Sequence, residues 1–111
     1  MLGQSVSANQ TMTTQELQSK LNAKENFVLL DVRTQEEYNA GYIAGAILLP
    51  YDEINAKATI VLPDKEKEIV LYCRSGRRSA IAKKSLLDLG YQKVVDFGGV
   101  KRWEGELVRN K

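Results

Sequence analysis

Cys73 is the single cysteine of this 111-residue chain. It stands where the apolar run Ile69-Val70-Leu71-Tyr72 gives way to Arg74-Ser75-Gly76-Arg77-Arg78-Ser79. A thiol acts as a nucleophile through its thiolate, and both a helix N-terminus and nearby cations favour that anion. The segment after the loop reads as a helix, so the pattern predicts a nucleophile at Cys73. A loop curling between a strand and a helix can aim several successive N–H groups inward as an anion nest, and Gly76 supplies the backbone freedom for it. The anion could be the thiolate, a persulfide on it, or a substrate oxyanion. Arg74, Arg77 and Arg78 add charge, and guanidinium forks suit tetrahedral oxyanions. Ser79 is expected to cap the helix and offer a hydroxyl. Together Arg74, Ser75, Gly76, Arg77, Arg78 and Ser79 are the candidate substrate-binding residues. A free cysteine ending a core strand is often only a small hydrophobe; the glycine and three arginines beside this one weigh against that.

Composition narrows the chemistry. The chain has no histidine, so a Cys-His pair, a Ser-His-Asp triad and a His-ligated metal site are excluded within it. No metal or cofactor is expected. One cysteine cannot form an intramolecular disulfide. Four residues separate Cys73 from Arg78. The phosphate loop of cysteine-dependent phosphatases has one more, and the position it would require to be arginine is Ser79.

Charge is unevenly placed. From Ile69 to Leu87 lie Arg74, Arg77, Arg78, Lys83 and Lys84 with no acid. From Glu25 to Glu53 lie Glu25, Asp31, Glu36, Glu37, Asp52 and Glu53 against Arg33 alone. The cationic cluster around Cys73 suits a small anionic substrate, although Lys83 and Lys84 read as a solvated helix face. A net charge of +2 gives no reason to expect a nucleic-acid or membrane partner. No apolar run is long enough to span a bilayer. Met1 to Met12 lacks the charged and apolar regions of an intact signal peptide. The expected location is cytoplasmic, or periplasmic if a leader has been removed.

The elements that must position the cysteine follow from pattern. With 43% hydrophobic and 27% charged residues, the chain fits one globular domain. Residues 1–10 read as a polar tail and 11–111 as the domain. Thr13-Thr14-Gln15-Glu16 and Thr34-Gln35-Glu36-Glu37 have capping-box spacing, each opening a helix; the first runs to about Asn22 and the second ends near Gly41. Phe27 to Val32, Ala46 to Leu49 and Ile69 to Tyr72 are apolar runs expected to be buried strands. A short helix is expected over Asp52–Ala56, with a helix or loop linker from Lys57 to Glu68. Ser79–Leu89 predicts a helix stopped by Gly90, and Lys93–Phe97 a last strand. Gly98-Gly99 is expected to turn the chain into a final helix with Val100, Trp103 and Leu107 facing the core. Strands alternating with helices make an α/β fold with a central parallel sheet flanked by helices. In such sheets ligands bind beyond the carboxyl ends of the strands, where Cys73 lies.

Three segments resemble the rhodanese family, specifically its single-domain sulfurtransferases. Leu30-Asp31-Val32-Arg33 with Glu36-Glu37-Tyr38 and Gly41-Tyr42-Ile43-Ala44-Gly45-Ala46 is similar to the family's N-terminal signature. Cys73 to Arg78 is similar to its six-residue active-site loop, and Gly98-Gly99-Val100 with Trp103 to its C-terminal signature. The similarity spans roughly Met12 to Leu107. The chain departs from the family at Tyr42, where histidine is common, and at Leu48, before the apolar residue and Pro50. The resemblance implies a rhodanese-like domain that transfers sulfane sulfur. A donor such as thiosulfate gives its outer sulfur to Cys73, and an acceptor, a thiol or cyanide, removes it from the persulfide. It also implies that Arg74 and Arg77 attract the donor, that Arg78 binds substrate or braces the loop through a carboxylate, and that Asp31 and Arg33 form scaffold ion pairs, with Glu37 a further candidate. The alternatives are a sulfur carrier or binding module with a protein acceptor, a cysteine-dependent phosphatase or arsenate reductase, and a structural domain with a dead site.

Overall fold

The computed structural model describes residues 12–109; the expected tail over residues 1–10 lies outside them. Four strands, β1 (Phe27–Asp31), β2 (Ile47–Leu48), β3 (Glu68–Cys73) and β4 (Val94–Gly99), form one parallel sheet in the order β2-β1-β3-β4. Four helices connect or flank them: α1 (Thr14–Asn22), α2 (Gln35–Ala40), α3 (Ile54–Val61) and α4 (Arg77–Asp88). No helix among the described residues is long and apolar enough to cross a membrane.

The continuous apolar runs are buried on both faces because successive side chains point to opposite sides of a sheet. Leu30, Ile69, Leu71 and Cys73 join one core cluster with Ile54 and Ala58 of α3 and Ala82 and Leu86 of α4. Leu29, Val70 and Tyr72 join another with Leu17 of α1 and Phe97. Cys73 therefore faces the layer from which α4 springs. Both capping boxes form: Thr13 and Thr34 hydroxyls accept the N–H of Glu16 and Glu37, whose carboxylates accept the threonine N–H in return.

Four expectations change. The segment 46–49 is not a buried strand: only Ile47 and Leu48 pair, at the sheet's edge, and Ile47 is 41% exposed. A two-residue ladder with one neighbour leaves the outer side uncovered. The short helix over 52–56 is instead a 3-10 turn, Tyr51–Glu53, leading into α3, which continues to Val61. α4 starts at Arg77, ahead of Ser79. The final helix is absent. Only a 3-10 turn, Val100–Arg102, follows β4, and Leu107 is 45% exposed. Gly105, a poor helix former, lies under the Trp103 ring, where a Cβ would stand 2.7 Å from Trp103 Cζ2. The chain then extends so that Val108 and Tyr42 exchange backbone hydrogen bonds. Trp103 still packs on the core, edge-on to Phe97.

A buried ion pair fixes the carboxyl end of β1. Asp31 is fully buried and Arg33 is 5% exposed. The Arg33 guanidinium donates to both Asp31 oxygens, at 2.9 and 2.6 Å, and to the Gly41 carbonyl at 2.6 Å. It also lies 5.5 Å from the centroid of the Tyr72 ring. The Tyr72 hydroxyl accepts the Ile43 N–H, and burial, with Asp31 nearby, raises its pKa. Breaking a buried pair from one side leaves an uncompensated charge, so Arg33→Ala should destabilise the fold by about 3–5 kcal/mol. Urea unfolding checks this, and an unchanged midpoint would show that Asp31 finds another partner.

Candidate active site

The site is built at the carboxyl end of β3. Cys73 is its last residue, and the side chain is fully buried. The next three residues turn the chain back over the sulfur, and the Gly76 N–H donates to Cys73 Sγ at 2.9 Å. Gly76 has φ +100°, a conformation that side-chain-bearing residues rarely adopt. It is also the N-cap of α4, so the loop runs straight into the helix. Cys73 thus meets a directed N–H close to the positive end of a twelve-residue helix.

The neighbouring strand makes room for this. β3 and β4 shift register between Leu71 and Tyr72: Leu71 pairs with Asp96, but Tyr72 pairs with Gly98 and Cys73 with Gly99. Phe97 is the extra residue of this bulge. The loop backbone then lies directly on Gly99, where a Cβ would stand 2.7 Å from the Arg74 carbonyl oxygen and 3.0 Å from Ser75 Cα. Neither atom belongs to a flexible side chain, so the position admits nothing larger than glycine without moving the loop. Gly98-Gly99 serves as strand and wall rather than as the expected turn into a helix.

Arg74, Ser75 and Arg77 are exposed, Gly76 and Arg78 half-buried, and Ser79 buried. Ser79 does not cap α4. Its hydroxyl donates to the Gly76 carbonyl at 3.0 Å, bracing the first turn from inside. Arg78 takes the bracing role: it donates to Glu37 Oε2 at 3.0 Å, and its guanidinium lies 5.9 Å from the Tyr51 ring centroid. The Glu37 bond, outweighing burial, raises the Arg78 pKa, and Cys73 and Tyr51 add to the shift. The pairing of Glu37 is therefore with Arg78 and not with the Asp31–Arg33 pair. The Glu37 carboxylate divides its work, since Oε1 caps α2 and Oε2 holds Arg78. Its capping-box spacing was the available sequence signal; nothing in the sequence points to Tyr51. A wide groove lined by Gln15, Lys20, Lys83 and Val95 lies apart from this loop and contains no cysteine. Among the described residues no group of His, Cys, Asp and Glu is arranged to hold a metal ion.

Residues 13–106 match the family described as Rhodanese-like domain. The thiosulfate sulfurtransferase PspE of Escherichia coli strain K12 is 38% identical over 72 residues, covering 65% of this chain and 69% of PspE. The adenylyltransferase and sulfurtransferase UBA4 of Meyerozyma guilliermondii is 40% identical over 91 residues. That match covers 75% of this chain but 21% of UBA4, so the chain spans about a fifth of that relative's length. The crystal structure of a rhodanese-like domain protein from Staphylococcus aureus superposes with a TM-score of 0.77 at 34% identity, covering 92% of this chain and 99% of that one.

The Glu37–Arg78 bridge gives a pH test. Hydrogen bonding from Arg78, then from Thr34, holds the Glu37 carboxyl down at about 2, against burial, from an ordinary 4.5. A depressed carboxyl stabilises the fold fully above its unfolded value and loses that contribution as pH falls through the folded one. Glutamine can keep the cap but not the charge, so Glu37→Gln should cost about 1 kcal/mol at neutral pH. In thermal unfolding the gap should close between pH 4.5 and about 2. A gap that persists at the lower end would assign the loss to packing.

Proposed function

This chain belongs to the rhodanese-like family, and we propose that it is a sulfurtransferase moving sulfane sulfur from thiosulfate, or a persulfide donor, through Cys73 to a thiophilic acceptor. The observation that carries this is the buried Cys73 sulfur under the Gly76 N–H, at the foot of α4, with Arg74 and Arg77 exposed above it. The Cys73 thiolate attacks the outer sulfur of thiosulfate. The S–S bond of the donor breaks, sulfite leaves with the electron pair, and a persulfide remains on Cys73. An acceptor thiolate or cyanide then attacks the outer sulfur, and the Cys73 thiolate leaves. This is covalent catalysis in two half-reactions. No proton needs to be taken from the attacking group once the thiolate is present, which suits a chain without histidine.

Each loop element has a role in this cycle. The Gly76 N–H and the helix terminus stabilise negative charge on sulfur, whether on Cys73 itself or on the persulfide. In this reading Ser75 and Gly76 line the donor's path to the sulfur through their backbone. Arg74 and Arg77 attract the dianion. Arg78, held by Glu37, braces the loop. That commitment also speaks against a phosphatase, whose arginine must face the anion from a longer loop. A free thiol nucleophile suits a reducing compartment, which in this reading favours the cytoplasm, with the periplasm as the alternative.

Cys73→Ser should abolish transfer while leaving the unfolding curve close to that of the parent. Intact-protein mass spectrometry after thiosulfate should show one added sulfur atom on the parent, removed by cyanide as thiocyanate, and none on the variant. Sulfur gain by Cys73→Ser would refute the mechanism. Arg74→Ala with Arg77→Ala should raise KM for thiosulfate roughly tenfold, the loss of one or two charge-assisted hydrogen bonds, and change kcat less. Unaltered thiosulfate kinetics would remove both arginines from donor binding.

A further inference from the structure

The mouth of the Cys73 loop carries more positive charge than a small dianion requires. Arg74 and Arg77 are exposed on the loop, and Lys101 and Arg102 are exposed on the turn that leaves β4. Arg102 reaches back beside the loop, and Lys101 precedes it on the same turn. Gly98 Cα is 3.9 Å from where a Cβ of Gly76 would stand, and Arg102 Cδ is 3.4 Å from where a Cβ of Gly98 would stand. Arg102 is anchored there by donating to the Phe97 carbonyl, with its guanidinium 4.9 Å from the Phe97 ring centroid.

Among the described residues none of these four cations pairs with a carboxylate, whereas Lys20, Lys57 and Lys84 all do. The acids closest in sequence do not neutralise them. Asp96 accepts the Gly98 N–H with one carboxylate oxygen, and neither it nor Glu104 or Glu106 forms an ion pair with any of the four. Thiosulfate carries two negative charges, which Arg74 and Arg77 answer. Lys101 and Arg102 come from a different element, the turn after β4, and add two charges beyond those of the loop.

Resting on the sulfurtransferase reading above, we propose that Arg74, Arg77, Lys101 and Arg102 form a docking collar for an acidic segment of a protein acceptor. The acceptor's cysteine thiolate attacks the outer sulfur of the Cys73 persulfide. The S–S bond to Cys73 breaks, the thiolate of Cys73 leaves with the electron pair, and the acceptor carries the persulfide, with no oxidant or reductant consumed. Complementary charge would act mainly on encounter and orientation. A nucleic acid fits less well. The chain's net charge is only +2, and the other side of the mouth, reached through the Glu37–Arg78 bridge and Tyr51, carries exposed Glu36 and Asp52, which repel a long polyanion.

The test uses the full chain, loaded from thiosulfate and confirmed as the persulfide by mass. Sulfur transfer is timed to three cysteine peptides flanked by glutamates, serines or lysines. Each rate is divided by the same peptide's rate toward cysteine persulfide, which removes differences in thiol reactivity. The acidic peptide should be favoured over the serine peptide about tenfold at low ionic strength. The advantage should collapse at roughly 0.5 M salt. Lys101→Glu should erase the preference and leave thiosulfate-to-cyanide turnover unchanged. Equal normalised rates, a preference that survives salt, or a Lys101→Glu variant that slows cyanide and peptide alike would overturn the collar. So would a short RNA duplex that blocks transfer at lower concentration than a cysteine-free acidic peptide does. Persulfide formation with flat peptide rates defeats the collar alone, while no persulfide from any donor defeats the sulfurtransferase reading and the collar with it.

Discussion

A buried sulfur at the end of a strand can carry negative charge only where a hydrogen-bond donor reaches it, and here the Gly76 N–H reaches it because the loop lies on bare backbone. The Gly76 N–H to Cys73 Sγ bond requires the chain to reverse over the sulfur within three residues. That reversal brings the Arg74 carbonyl and Ser75 Cα against Gly99, at distances that exclude a Cβ. The bulge at Phe97 is part of the same constraint, because it sets Gly98 and Gly99, rather than Phe97, opposite Tyr72 and Cys73. Four glycine-dependent features thus serve one hydrogen bond: the positive φ of Gly76, the bulge, the positive φ of Gly98 and the contact at Gly99.

Outside that contact, the site is held by charges that are already committed. Arg33 is spent on Asp31 and the Gly41 carbonyl, and Arg78 on Glu37. Of the three loop arginines, the two left exposed are Arg74 and Arg77. The division is physically sensible. A bracing arginine must be partly desolvated to hold its geometry, while an arginine that captures a donor must remain hydrated and mobile until the donor arrives.

Much of this was legible in the sequence, for identifiable reasons. Capping-box spacing located two helix starts because it specifies a local pair of hydrogen bonds, and both pairs form. Long apolar runs located β1 and β3 because two covered faces leave no polar alternation. Cys73, its loop and its place at a strand end followed from the same run. Elements decided by distant contacts were harder to read. β2 is a two-residue edge strand, which the four-residue apolar run Ala46–Leu49 does not reveal. The last segment has helical spacing at Val100, Trp103 and Leu107, but Gly105 under the Trp103 ring and the Val108–Tyr42 bridge override it. Which arginine Glu37 would bond was not legible for the same reason, since Arg33 and Arg78 differ only in tertiary placement; the expected brace from Arg78 to a carboxylate forms, with Glu37.

The Glu37 carboxylate has one further consequence. Its two oxygens join the start of α2 to the first turn of α4, positions 41 residues apart in the chain. The Gly99 wall comes from later still, at the end of the last strand. No fragment ending before β4 contains both supports, so the loop takes its shape only when the β1–α2 and β3–α4–β4 units have docked. Loop closure of that length is costly until the contacts it enables are made. During synthesis and folding Cys73 therefore lacks the loop around it, and the geometry at its sulfur is a late product of assembly.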